Sequence, residues 1–392
     1  MFSISYRLFC HRLGRTSTCA ADISRRSWIA YISHTEPCLL EDVLVTPKHA
    51  LVKQVSDHYL PKLLPHEHNQ SAEDDVKARN VVFNCDGLGI AWYTSANSAF
   101  ELLETGESAD GTQNDVSSLD DQPYVHVADI AKGLRPAMYK TIQPPRNEIN
   151  FLSICKNTET LCLFGHIRAS SGTAVANINN HPFVFGRHTF MHNGAVSNFA
   201  EIKRAVINEM SHAAYANVYG GTDSEHVAGL YMTYLTQGGD ATTFQYMYST
   251  REMTAALHKA VATIVGLQQK YLGVAKRANS LNLCVTDGVS LVACRFRNHK
   301  ASLPPSLYYS TKAGVTLNRK YPDNADGNPH PKRYVGIPEQ RHGQHLIVAS
   351  EPSTYVEADW ELIGRNQFLA SGPDGFFEVG DCPYGTEWDG LD

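Results

Sequence analysis

Two apolar runs, residues 281–285 and 289–296, meet at the dipeptide Asp287-Gly288. Aspartate followed by glycine supplies the positive φ of a tight hairpin turn, so the two runs are expected to pair antiparallel. A second pair of the same kind, 183–185 and 189–192, turns at Gly186-Arg187. Between and around these hairpins the apolar period changes from that of a strand to that of a helix. Phe199, Ile202, Val206 and Met210 recur on one helical face, and Met253, Leu257, Val261, Ile264 and Leu267 on another. Hairpins that need no crossover, with helices segregated from them, argue against a wound parallel sheet and predict an α+β fold.

Other segments extend this outline. Residues 81–93, V-V-F-N-C-D-G-L-G-I-A-W-Y, read as two short strands around a turn at Asp86-Gly87, with further strands at 161–167 and 346–349. Asn198 with Glu201, and Thr222 with Glu225, have the spacing of capping boxes and mark two helix starts. Residues 104–123 are acidic, rich in Ser and Gly and without period, which predicts a solvated insertion. Residues 321–344, rich in Pro, Gly, His and Asn, are expected to form a loop. From Ser371 onward the chain carries six acidic and no basic side chains, the composition of a loosely held end. The expected organisation is an extension over 1–26, one domain over 27–365 and an acidic tail over 366–392.

With 43% hydrophobic and 19% charged residues among 392, the chain can bury a sizeable core and is not a disordered one. A net charge of -6 supplies no basic footprint for nucleic acid or an anionic membrane. The nine cysteines, Cys10, Cys19, Cys38, Cys85, Cys155, Cys162, Cys284, Cys294 and Cys382, are scattered and contain no C-x-x-C pair. That pattern fits a reduced compartment better than a disulfide framework or a zinc site. No apolar run approaches the roughly 18 to 20 residues that span a bilayer, and a soluble, cytoplasmic protein is expected. The first 26 residues carry Arg7, Arg12, Arg15, Arg25 and Arg26 against Asp22 alone. They have the composition of a mitochondrial transit peptide, or are upstream sequence read as protein.

Four short motifs follow one another: Gly165-His166-Ile167-Arg168-Ala169-Ser170-Ser171, His181-Pro182-Phe183, Met191-His192-Asn193-Gly194 and Gly221-Thr222-Asp223-Ser224-Glu225. Taken singly, each has an ordinary structural explanation, as a surface ion pair, a turn or a helix cap. In this order and spacing they resemble the class II glutamine amidotransferase domain, an N-terminal-nucleophile hydrolase. The resemblance runs from Trp28 to about Leu362 and includes 28–31, 86–93, 190–199, 281–288 and Val348-Ala349-Ser350-Glu351-Pro352. It is nearest to the fungal amidotransferase subunit of glutathione degradation and its bacterial relatives.

The resemblance implies a four-layer αββα fold and a site for a γ-glutamyl group. Arg168 resembles the residue that grips the α-carboxylate, a task suited to the guanidinium fork, with Ser171 adding a hydroxyl. Asp223 resembles the acceptor of the α-ammonium, and Asn193 with the backbone N–H of Gly194 resembles the oxyanion hole. In this family the base is the free amine of the nucleophile itself, so His166, His181 and His192 are assigned to packing beside the site. No metal and no cofactor is expected, and the implied partner is a peptidase-like WD-repeat subunit. After Leu281 no glycine loop for phosphate appears, which favours hydrolysis or service to a separate protein. The leading activity is cleavage of the γ-glutamyl bond of glutathione. The alternatives are a glutaminase subunit supplying ammonia, a hydrolase of another γ-glutamyl thiol conjugate, and an inactive regulatory subunit.

One departure concerns the nucleophile. Family members begin Met-Cys-Arg and then an aromatic residue, and removal of the methionine exposes the cysteine. Here the aromatic is Trp28, preceded by Ser27, and Arg26 stands at the nucleophile's place. Arginine cannot attack a carbonyl. Either a short first segment encoding Met-Cys-Arg has been replaced by upstream sequence, or the chain is a targeted protein with a silent site.

Overall fold

The computed structural model describes residues 27–54, 86–98, 133–168, 173–317, 343–354 and 356–391. Arg26, Ser171 and the expected insertion at 104–123 lie outside the described residues, as do Cys10, Cys19, Cys85 and residues 318–342.

Two antiparallel sheets form the centre. One has seven strands: β1 (Ser27–Ser33), β3 (Gly87–Thr94), β4 (Arg135–Thr141), β6 (Cys162–Arg168), β11 (Tyr308–Ser310), β12 (His345–Ala349) and β13 (Glu361–Leu362), in the order β13-β11-β12-β1-β6-β3-β4. The other has six: β7 (Phe183–Phe185), β8 (His188–Ala195), β9 (Ser280–Thr286), β10 (Leu291–Arg297), β14 (Gln367–Ser371) and β15 (Phe377–Asp381), in the order β15-β14-β10-β9-β8-β7. A small ladder joins β2 (Cys38–Leu39) to β5 (Glu159–Thr160).

Because strand side chains alternate between faces, β1 feeds two cores. Ile29 and Tyr31 point outward and pack with Leu40 and Leu44 of α1 (Leu40–Leu44) and Phe151 of α2 (Ile149–Asn157). Trp28, Ala30 and Ile32 point inward and meet Met191, Cys284 and Leu291 of the other sheet. The far face of that sheet, with Leu281, Leu283 and Val285, packs on α3 (Phe199–Asn208), α4 (His212–Ala216), α5 (Asp223–Leu235) and α6 (Thr250–Leu272). The outer face of the seven-stranded sheet also takes α7 (Ala313–Leu317). The layers therefore run helix, sheet, sheet, helix, which is the four-layer fold expected.

Both hairpins have the predicted pairing, with Phe185 opposite His188 and Leu291 opposite Thr286. Of the two strands expected around Asp86-Gly87, the second is β3, opened by Gly87 and paired with β4 and β6, and the first lies outside the described residues. Other expectations need correction. Asn198 makes no capping box, because it is left-handed (φ 54°) and its Oδ1 accepts from the Arg277 amide at 3.1 Å. Thr222 caps α5 by accepting from Glu225 N, but the Glu225 carboxylate takes the Tyr219 and Gly220 amides instead of closing the box. A complete capping box occurs at Ser249 and Glu252, opening α6. The acidic end is not loosely held. It supplies β14 and β15, buries Cys382, and returns Leu391 to accept a bond from the Ala278 amide at 2.8 Å.

Candidate active site

The motif residues converge where β1 begins and β6, β8 and β12 end. Register explains this. Trp28 lies opposite His166, Ile29 lies opposite Ala349, and Gly194 lies opposite Leu281 at the start of β9. Inward-facing positions at this end carry polar side chains in place of the apolar core.

Asn193 is 4% exposed, and its Nδ2 donates to Ser350 Oγ at 3.2 Å. The same oxygen accepts from the Trp28 amide at 3.2 Å, while Ser350 N donates to the Trp28 carbonyl at 2.9 Å. Gly194 has φ +140°, and a Cβ there would stand 1.9 Å from the Ser280 carbonyl oxygen. Only glycine lets the strand turn its peptide at that point.

Arg168 ends β6, buried to 3% exposure. Its Nη1 donates to the Ala174 carbonyl at 3.1 Å and to Asn180 Oδ1 at 3.4 Å, and its Nη2 donates to Thr173 Oγ1. The fork is thus oriented by the segment that follows it. Asn179 Nδ2 donates to the same Ala174 carbonyl at 2.9 Å, and Asn179 Oδ1 accepts from the Gly221 amide at 2.9 Å. Two residues on is Asp223, so one asparagine ties the arginine's segment to that of the aspartate. This segment lies close across β3, because a Cβ on Gly89 would sit 1.8 Å from the His181 carbonyl oxygen.

Asp223 is the first residue of α5, capped by Thr222, where the helix dipole favours a carboxylate. Its Oδ2 accepts from the Val196 amide at 2.8 Å, and its Oδ1 accepts from the Ser224 amide at 2.8 Å. The aspartate is therefore held against the turn that follows Asn193-Gly194. A carboxylate has about four lone-pair directions, so it retains capacity for a cationic donor.

The histidines lie behind this arrangement. His192 Nε2 faces the Ser280 carbonyl at 3.1 Å and so donates to it, while Nδ1 meets Ser224 Oγ at 2.9 Å, a hydroxyl that also donates to Asp223 Oδ1 at 3.2 Å. His166 Nε2 likewise faces the His192 carbonyl at 3.1 Å and so donates, while its ring stacks on His181 at 4.1 Å between centroids. Burial beside the site also acts on Lys140, pushing its ammonium down to about 8 against the opposing pull of Glu225.

Among the described residues, no group of three or more His, Cys, Asp or Glu side chains could hold a metal ion. No helix among them is long and apolar enough to cross a membrane.

No family model matches the chain. Its sequence is 25% identical over 346 residues, 85% of this chain and 78% of the other, to "Probable glutamine amidotransferase DUG3" of Saccharomyces cerevisiae. In sequence the chain is thus similar to a glutamine amidotransferase. Among solved structures, a class II glutamine amidotransferase domain protein from Silicibacter pomeroyi overlaps 91% of this chain and 100% of its own, at 19% identity and a TM-score of 0.49. A phosphoribosylpyrophosphate amidotransferase from B. subtilis overlaps 92% of this chain and 50% of its own, at 10% identity and a TM-score of 0.46.

Of the residues named from sequence, Asn193, Gly194, Arg168 and Asp223 stand in this one network, and Ser171 and Arg26 lie outside the described residues. The network adds Ser350, Asn179 and Ser224, to which no site role was assigned from sequence. Ser350 stood in the Ala-Ser-Glu-Pro segment and Ser224 beside Asp223; Asn179 precedes the His181-Pro182 motif by two residues. The partners that tie them into the site, His192 for Ser224, Gly221 for Asn179 and Asn193 and Trp28 for Ser350, lie 32 or more residues away, which no spacing rule reveals.

Proposed function

We propose that this chain serves a γ-glutamyl amide hydrolase of the class II amidotransferase kind, acting on glutathione in the cytoplasm with a peptidase-like WD-repeat partner. What supports the reading is the pairing of an oriented, buried guanidinium, Arg168, with a helix-opening carboxylate, Asp223, linked through Asn179 and Gly221. A γ-glutamyl group presents one α-carboxylate and one α-ammonium, and these are their complements.

The steps follow from those roles. Arg168, with Ser171, takes the carboxylate, and Asp223 takes the ammonium. An N-terminal cysteine thiol, its proton removed by its own amine, attacks the γ-carbonyl. Negative charge then moves to the carbonyl oxygen, where Asn193 and the Gly194 N–H receive it. The C–N bond breaks as the leaving amine takes the proton, and water then cleaves the thioester to release glutamate. These residues address only the half common to all γ-glutamyl amides, so glutamine is the natural competing substrate.

Arg26 favours a second reading, a binding subunit without turnover. The two separate in one experiment. The chain with Arg26 is expected to hydrolyse neither glutathione nor glutamine. A form with residues 1–27 replaced by Met-Cys-Arg is expected to release glutamate when partner is supplied. Turnover by the Arg26 chain would show that the missing cysteine is not the obstacle.

A further inference from the structure

Resting on that reading of the site, we infer that Ser350 is a positioning residue of the hydrolysis, setting which edge of the Asn193 carboxamide meets the reacting carbonyl. A side-chain amide has two edges of similar shape and opposite polarity. Presented N–H first, Asn193 stabilises a developing oxyanion; turned over, it presents Oδ1 and repels it. Something other than packing must therefore fix the flip.

Ser350 Oγ is placed to do so. It accepts from Asn193 Nδ2 and from the Trp28 amide, each at 3.2 Å, and the serine is 3% exposed. The Trp28 amide can only donate, so it takes one lone pair of the hydroxyl, and the Asn193 N–H takes the other. Anchoring one N–H of Asn193 on that oxygen leaves its second N–H to point away from Ser350. The same contact sets the spacing between the start of β1, where the nucleophile belongs, and the oxyanion donor.

Ser350 is itself rigidly carried. It follows the last residue of β12, and its own amide bonds the Trp28 carbonyl at 2.9 Å. The turn after it is tied down by His49, whose Nε2 meets Glu351 Oε2 at 2.8 Å and whose amide donates to the Ser353 carbonyl at 3.2 Å. Such support is what a site needs to keep a donor within a fraction of an ångström of its working place.

The test uses the Met-Cys-Arg form with its partner, comparing Ser350→Ala, Ser350→Cys and Ser350→Thr by steady-state kinetics on glutathione and glutamine. A group that orients a transition-state donor acts on kcat more than on KM. Ser350→Ala and Ser350→Cys, which remove a good acceptor, are expected to lower kcat about 10- to 100-fold with KM within about threefold, less than the ~10² to 10³ for losing the donor itself. Ser350→Thr, which keeps the hydroxyl, is expected to recover most of kcat. In the Ser350→Ala background, Asn193→Ala should cost less than it does alone, because the two act through one donor. An active parent whose kcat survives Ser350→Ala and Ser350→Cys would overturn this inference and leave the γ-glutamyl reading standing. An inactive parent, with Ser350 intact and partner present, would overturn both.

Discussion

The two ends of the layer between the sheets carry the same residue types and use them differently. Each end has a buried arginine and an aspartate at the start or turn of an element: Arg168 and Asp223 where β1 begins, Arg187 and Asp287 where β3 and β9 finish. At the far end several of the polar groups bond one another, while Asp287 Oδ2 is buried without a hydrogen bond among the described residues. Tyr93 Oη meets the Arg187 carbonyl at 2.6 Å, Thr189 Oγ1 at 2.9 Å and the Thr286 carbonyl at 3.1 Å, while Arg187 Nε donates to the Asp287 carbonyl at 3.2 Å. Asp287 Oδ1 caps its own hairpin through the Val289 and Ser290 amides, and burial raises its carboxyl above the usual range. Gly288 has φ +95° and lies against the Tyr93 ring, where a Cβ would come within 2.3 Å.

At the near end, the arginine and the aspartate are held from behind, by Thr173, Ala174 and Asn180 for one and by Val196 and Ser224 for the other. Their segments are joined through an asparagine, not by a direct pairing of the two charges. Residue type and burial therefore do not distinguish a binding site from a fold anchor. What differs is the connection: Arg187 bonds the turn that carries Asp287, whereas the segments of Arg168 and Asp223 are joined through Asn179.

This difference can be broken at the far end first. Arg187→Ala removes a guanidinium that bonds the Asp287 carbonyl and whose charge favours the buried Asp287 carboxylate, and leaving such a buried acceptor unsatisfied costs about 1–3 kcal/mol. Denaturant unfolding should show a loss of that size, with KM for γ-glutamyl substrates unchanged in the Met-Cys-Arg form. A stable variant with an altered KM would place Arg187 in the site.

Acid titration sharpens the same contrast. His188, next to Arg187, donates through Nε2 to the Tyr246 carbonyl, 3.1 Å away; a carbonyl only accepts, so Nε2 bears the proton. Burial pushes its imidazole down to about 3. Above pH 6.5 the folded and unfolded chains bind the same number of protons at this group. Between about 6.5 and 3 the unfolded chain binds one more, so stability falls as pH falls, by up to about 1.4 kcal/mol per pH unit. His188→Gln, which keeps an N–H donor, should flatten the pH dependence of unfolding by about one proton. An unchanged slope would remove His188 from the account.

Parts of this molecule were legible in the sequence because local chemistry dictates them. Gly186 and Asp287-Gly288 turn both hairpins, and the apolar stripes of α3 and α6 recur at helical spacing. β4 escaped notice because Pro136 and the half-buried side chains of an edge strand blur the alternation. The acidic end misled because composition reports solvation, whereas β15 is held by backbone pairing to β14 that charge does not forbid. Asn198 has cap spacing but is drawn to the Arg277 amide, a partner far along the chain. The site followed the same rule. Arg168, Asn193, Gly194 and Asp223 stand in short motifs, while Ser350 reaches Trp28 across 322 residues and Asn193 across 157.

The central claim is that Arg168 reads the γ-glutamyl carboxylate and Asn193 the transition state. It is tested most directly by steady-state kinetics of Arg168→Ala, Arg168→Lys and Asn193→Ala in the Met-Cys-Arg form, on glutathione and glutamine in parallel. A charged hydrogen bond of this kind is worth roughly 1.5–3 kcal/mol, so Arg168→Ala should lower kcat/KM at least tenfold on both substrates. Arg168→Lys should recover only part, because an ammonium lacks the planar fork. Asn193→Ala should lower kcat with little change in KM. If Arg168→Ala left kcat/KM intact on both substrates, Arg168 would be a second fold anchor like Arg187, and the γ-glutamyl assignment would be wrong.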